Sequence, residues 1–214
     1  MTPLQAFKDL QKHQTAWSIY AASRKIFPSR FNTLITVIAF FASGLFAELV
    51  VGDAGHVLQA ARELVRLVFG GAISLLGFFI TGFALIAAFS DKHLLISMAL
   101  KEHTKYGISY FKYNYFVFLR VFLTTLAIGA FALGLIIGLG PGTGLGSRMG
   151  GENSRTVLSA ASLSLAMVFT FQVVLLLVAK TFVINVYVSV VTAMQATLIE
   201  RLKSRPGGNP TAKN

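Results

Sequence analysis

The chain has 214 residues, 55% hydrophobic and 13% charged, with a formal net charge of +11 and a mean hydropathy of +0.69. Soluble domains carry about 25% charged residues, so this balance excludes an ordinary water-soluble domain and makes a membrane class the default. The absence of cysteine excludes disulfides, thiolate metal sites and a thiol nucleophile.

In residues 1–27, the charges Lys8, Asp9, Lys12, Arg24 and Lys25 leave too little apolar length for a secretory signal. Leu4, Phe7, Leu10, Trp17 and Tyr20 recur at helical spacing with Lys8, Gln11 and Lys12 between them. This pattern predicts an amphipathic cytoplasmic helix. It either lies along the headgroups with Trp17 and Tyr20 as interfacial anchors, or packs as a solvated helix on its neighbours.

Pro28 breaks that helix and Ser29 is a candidate cap for the next. The first membrane span is expected over residues 31–52, with its one charge, Glu48, near the far interface, where a carboxylate reaches water. Residues 53–67 read as a short surface helix leading into the second span. His56 has no partner at metal-ligand spacing.

The second span, residues 68–89, is uncharged and about 22 residues long, roughly 33 Å as a helix, which matches a hydrocarbon core of about 30 Å. Residues 91–114, with Lys92, Lys101, Lys105 and Lys112, are expected to extend it into the cytoplasm. His93 and His103 would lie about 15 Å apart along such a helix and cannot share a metal. Tyr110, Tyr113 and Tyr115 form a candidate aromatic belt at headgroup level.

The third span is expected over residues 115–138. Gly134 and Gly138 make a GxxxG pair, and with Gly129, and Gly77 and Gly82 of the second span, they are candidate helix-packing positions. Those contacts lie either within one subunit or between subunits. Residues 139–155 are Gly-rich but lack the Gly-Lys-Ser/Thr ending of a phosphate-binding loop, so a flexible connector is expected.

The apolar run 156–199 is too long for one crossing, and Lys180 divides it. The fourth span is expected over residues 157–179, with a cytoplasmic helical extension, 181–203, whose Val183, Ile184, Val190 and Met194 need partners. Residues 204–214 read as a disordered basic tail.

Thirteen of the 19 Lys and Arg fall in the segments on the amino-terminal side of the four spans and four on the opposite side. The positive-inside rule therefore places both termini in the cytoplasm. The remaining two, Arg120 and Lys180, lie on the inner side of their spans. They either snorkel independently, or form a basic constriction in a ring of subunits or an anionic-lipid site.

Leu76-Gly-Phe-Phe-Ile-Thr-Gly-Phe-Ala-Leu-Ile86, followed by a basic cytoplasmic segment and another pair of spans, resembles the small four-span membrane subunits of bacterial anti-phage defence systems, of the Kiwa type. The resemblance implies a tetrameric sensor in the inner membrane with a cytoplasmic effector partner. It transfers no functional residue.

The expectation is an all-α polytopic membrane protein with four transmembrane helices within residues 28–199. The first function expected is a homo-oligomeric channel or membrane sensor. The alternative is a membrane anchor or assembly subunit that recruits a soluble cytoplasmic partner. Besides the bilayer and further copies of the chain, anionic lipids are expected partners. No span holds a Ser/His pair, a carboxylate dyad or a metal cluster at mid-depth, so no enzyme activity, cofactor, metal or nucleic-acid partner is expected.

Overall fold

The computed structural model describes residues 30–51, 53–89, 96, 98–101, 103, 107–140 and 155–203. The amphipathic segment 1–27, most of 91–106, residues 141–154 of the Gly-rich connector and the tail 204–214 lie outside the described residues. Among the described residues, four helices are long and apolar enough to cross a membrane. They are α1 (Arg30–Phe46), which widens into a π-helical turn at Ala47–Val51, α2 (Ala54–Phe89), α3 (Tyr110–Gly138) and α4 (Arg155–Lys203).

The helix starts follow local chemistry. Asp53 opens α2: its side-chain Oδ2 accepts from the His56 N–H at 3.0 Å and its carbonyl from the Val57 N–H at 3.1 Å, the usual service of an Asp at an N-cap. Ser109 opens α3, its hydroxyl accepting from the Lys112 N–H at 3.3 Å. Just before it, Gly107 takes φ +63°, a conformation that side chains with a Cβ rarely adopt. The turn is closed by bonds from Gly107 N–H to the His103 carbonyl and from His103 N–H to the Ile108 carbonyl, at 3.0 and 2.7 Å.

Two boundaries differ from the sequence reading. Residues 54–67 are not a separate surface helix but the first turns of α2, with Val57, Leu58, Ala61 and Val65 buried. The apolar residues there are spaced to continue the stripe of the second span, so no break is needed. Helix α3 likewise begins at Tyr110, ahead of the expected 115, because Ser109 supplies the cap.

Helix α4 is the hub: it packs against α2, α1 and α3, while α2 packs against α3. The core lies in three layers along the bundle. One end holds Ala47, Val57, Leu58, Leu139 and Ala161. The middle holds Val65, Val68, Ala72, Ile128, Ala132, Val168 and Leu175. The other end holds Phe79, Val117, Val121 and Phe182. Leu58 and Phe79, in the two end layers, are about 21 residues or ~32 Å apart along α2, close to one hydrocarbon thickness. Helix α1 contributes no buried side chain, and only Ala47, in the π-helical turn after it, enters a core layer.

Candidate functional site

A cleft of about 240 Å³ opens between α1, α3 and α4, at the end of the bundle where the Phe79 layer lies. It exists because α1 leans on α4 and scarcely meets α3, leaving a gap beside the first turns of α1. The polar lining comes from all three helices: Asn32, Thr33 and Thr36 from α1, Arg120 and Thr124 from α3, and Thr181 from α4. The apolar lining is Val37, Val121, Val174, Leu177 and Val178.

Lys180 is exposed and stands beside the cleft. Its Nζ donates to Asn32 Oδ1 at 3.5 Å and sits 5.4 Å from the centre of the Phe31 ring. Asn32 therefore bonds one of the two cations picked out by sequence, Lys180, and lines the same cleft as the other, Arg120.

Hydroxyl chemistry favours an acceptor in the cleft. Thr36 Oγ1 donates to the Asn32 carbonyl at 2.9 Å, and Thr181 Oγ1 to the Leu177 carbonyl at 2.8 Å. With those two protons used inside their own helices, the cationic donors at the cleft are the guanidinium of Arg120 and the ammonium of Lys180, and the Asn32 amide adds N–H groups of its own. Of the carboxylates in the described residues, Glu48, Asp53 and Glu63 belong to the opposite end of the bundle, and Glu200 lies 20 residues beyond Lys180 along α4.

The glycines divide into two groups. A Cβ on Gly82 would lie 2.7 Å from Phe182 Cζ, and one on Gly129 would lie 3.3 Å from Ala72 Cβ, so these two mark close approach of α2 to α4 and of α3 to α2. At Gly77, Gly134 and Gly138 an added Cβ would meet nothing within 4 Å among the described residues.

Of the aromatic anchors, Trp17 and Tyr20 lie outside the described residues. Tyr110 and Tyr113 flank His103, with ring centres 4.9 and 4.5 Å away. Tyr115 is exposed and faces Phe83 at 6.4 Å.

Sequence reasoning passed over Asn32, Thr33, Thr36 and Thr181 as cleft residues. The signal was present: Asn32 and Thr36 are four apart, hence on one helix face, and Thr181 follows Lys180. Compared with family models, with curated proteins and with solved structures, the chain has no match.

Proposed function

We propose that this chain is a homo-oligomeric multi-pass protein of a bacterial inner membrane, with both termini in the cytoplasm, acting as a membrane sensor or channel. The charges support the orientation. The described helices are uncharged between Arg66 and the level of Arg120 and Lys180, so a slab of about 30 Å leaves these two cations within snorkelling reach of the inner boundary. Helix α1 starts and α2 ends on that same side, so the basic sequence before Arg30 and after Phe89 supports the same orientation.

The observation that carries self-association is the stretch of α4 past Lys180. The helix continues to Lys203, about 23 residues or ~34 Å, more than the inner headgroup layer covers. Along it Tyr187 is 68% and Met194 66% exposed, with Val188 and Val190 also exposed. Apolar surface of that extent beyond the lipid is covered by another protein surface, and a second copy supplies an identical helix. The resemblance to anti-phage membrane subunits agrees with a sensing role and an inner-membrane location.

The purified protein's mass in nanodiscs, with lipid and scaffold subtracted, tests the reading. A closed oligomer supports it and a monomer refutes it. Liposome flux then separates the two outputs: ion passage through the oligomer supports a channel, and a sealed oligomer leaves the sensor. The exposed stretch of α4 also favours a second reading, an anchor for a soluble cytoplasmic partner. A monomer that recovers one cytoplasmic protein in stoichiometric amount, dependent on Tyr187 and Met194, would establish it.

A further inference from the structure

We propose that the cleft between α1, α3 and α4 is a binding site for an acidic phospholipid, with the phosphate held by Arg120 and Lys180 and an acyl chain laid along Val37 and Val174. The proposal rests on membrane insertion, as above, but not on self-association.

Three observations converge on it. First, cations from two helices stand at one cleft: Arg120 of α3 lines it, and Lys180 of α4 bonds Asn32, which also lines it. A guanidinium, an ammonium and an amide that also donates suit the several acceptor oxygens of a phosphate diester. Second, the lining on α1 and α4 changes character with depth, while α3 adds Thr124 one turn below Arg120. On α1 it runs from Asn32 through Thr36 to Val37, and on α4 from Thr181 through Val178 to Val174. Both helices therefore present polar groups at the charged end and valines toward the middle of the bundle, the order of an amphiphile's own head and tail.

Third, the cleft is open and small. Sites that enclose a soluble ligand hold roughly 300–1,000 Å³ and cover most of its surface, whereas this one holds about 240 Å³. That is room for a head and the first part of a chain, with the rest left in the bilayer. A lipid seated there would fill the gap between α1 and α3, two helices that scarcely touch otherwise. Free phosphate offers the same anionic chemistry, but it would leave the valine half of the cleft unfilled.

The test uses the full chain in mild detergent, exchanged against equal amounts of phosphatidylglycerol and phosphatidylcholine and read by native mass spectrometry. Charge-assisted hydrogen bonds lost with one cation correspond to roughly tenfold in affinity. The wild type should therefore retain phosphatidylglycerol at least tenfold over phosphatidylcholine, and Lys180→Gln should lose most of that preference. Lys180 is exposed, so this variant folds; Arg120→Gln is the stronger test wherever its elution and helicity match the parent.

Val178→Trp keeps both cations and blocks the apolar half, and it should reduce retention to the same degree. Equal retention of both lipids by the wild type overturns the proposal. So does an unchanged preference in Lys180→Gln. Inorganic phosphate at millimolar concentration should not raise the melting temperature. A rise equal to that from phosphatidylglycerol would reassign the cleft to a free anion. The mass measurement under Proposed function is independent of each of these results.

Discussion

Gly82→Ala puts the α2/α4 contact to a quantitative test. The new Cβ would lie 2.7 Å from Phe182 Cζ and 3.0 Å from Cε1, well inside contact distance, so the ring or the helix must move. The ring has little room. Phe182 is 3% exposed, and its centre lies 4.6 Å from Phe79, 5.5 Å from Phe78 and 6.2 Å from Phe118. Overpacking of this kind costs about 1–3 kcal/mol. Any glycine to alanine change in a helix also gains up to ~1 kcal/mol of propensity, which would mask part of the clash. Gly77→Ala removes that ambiguity, because it lies in the same helix and its added Cβ meets nothing within 4 Å among the described residues. For a chain of this size each kcal/mol moves the midpoint by about 2–4 °C. Gly82→Ala should therefore melt roughly 2–12 °C below Gly77→Ala in the same detergent, followed by far-UV circular dichroism. Phe182→Leu should restore much of the difference in the double variant. Equal melting temperatures for the two alanine variants would refute the packing described for this layer.

Three further outcomes follow from single contacts. Arg62 Nε donates to the Leu139 carbonyl at 2.6 Å, capping the end of α3 from α2, so Arg62→Met should cost about 1.5–3 kcal/mol, seen as a lower melting temperature with unchanged helicity at 20 °C. Gly134→Leu and Gly138→Leu add bulk where nothing lies within 4 Å among the described residues; they should leave the monomer fold intact yet lower the mass measured in nanodiscs if this face meets another copy. Gln172 Oε1 is buried without a hydrogen-bond partner among the described residues, so Gln172→Leu should leave the melting temperature equal or higher, and a fall of several degrees would show that the amide is satisfied in the membrane.

The number of helices was legible because each needs only a long uncharged stretch, and such stretches stand out against 13% charged residues. Helix ends were less so. Residues 54–67 carry Arg62, Glu63 and Arg66, which suggest a surface segment, but Val57 and Leu58 keep the helical stripe in the layer of Leu139 and Ala161, and Val65 continues it into the middle layer with Ile128 and Val168. Charge said outside and periodicity said continuous, and the two agree once Arg62 is seen bonded to a carbonyl at the end of α3. For the cleft, Arg120 and Lys180 were found because charges within spans are costly. Asn32 and the threonines were not, because small polar residues are cheap in a transmembrane helix and become informative only when three helices bring them together. The glycines show the same limit: Gly82 and Gly77 look alike in the sequence, and only the position of Phe182 separates them.

The placement of α1 is the remaining question on which the cleft depends, since that helix is held by α4 and adds no buried side chain of its own. In an oligomer such a helix is the one most easily exchanged between copies. Two features argue against exchange here. The connection from the π-helical turn ending at Val51 to the start of α2 at Ala54 is too short to reach a neighbouring bundle. The contact near its other end, Asn32 with Lys180, fits the same α4. The chain has no cysteine, so introduced pairs report without background. A Cβ built on Gly44 lies 3.7 Å from Ala166 Cβ, within the range of about 3.5–4.5 Å spanned by disulfides. Gly44→Cys with Ala166→Cys should therefore form a bond under mild oxidation and run as a monomer on a non-reducing denaturing gel, while either single variant stays reduced. A dimer band from the double variant would mean that α1 packs on the partner's α4, and the cleft would then be built at the junction of two chains. No bond at all would detach α1 from α4 altogether and remove one wall of the cleft.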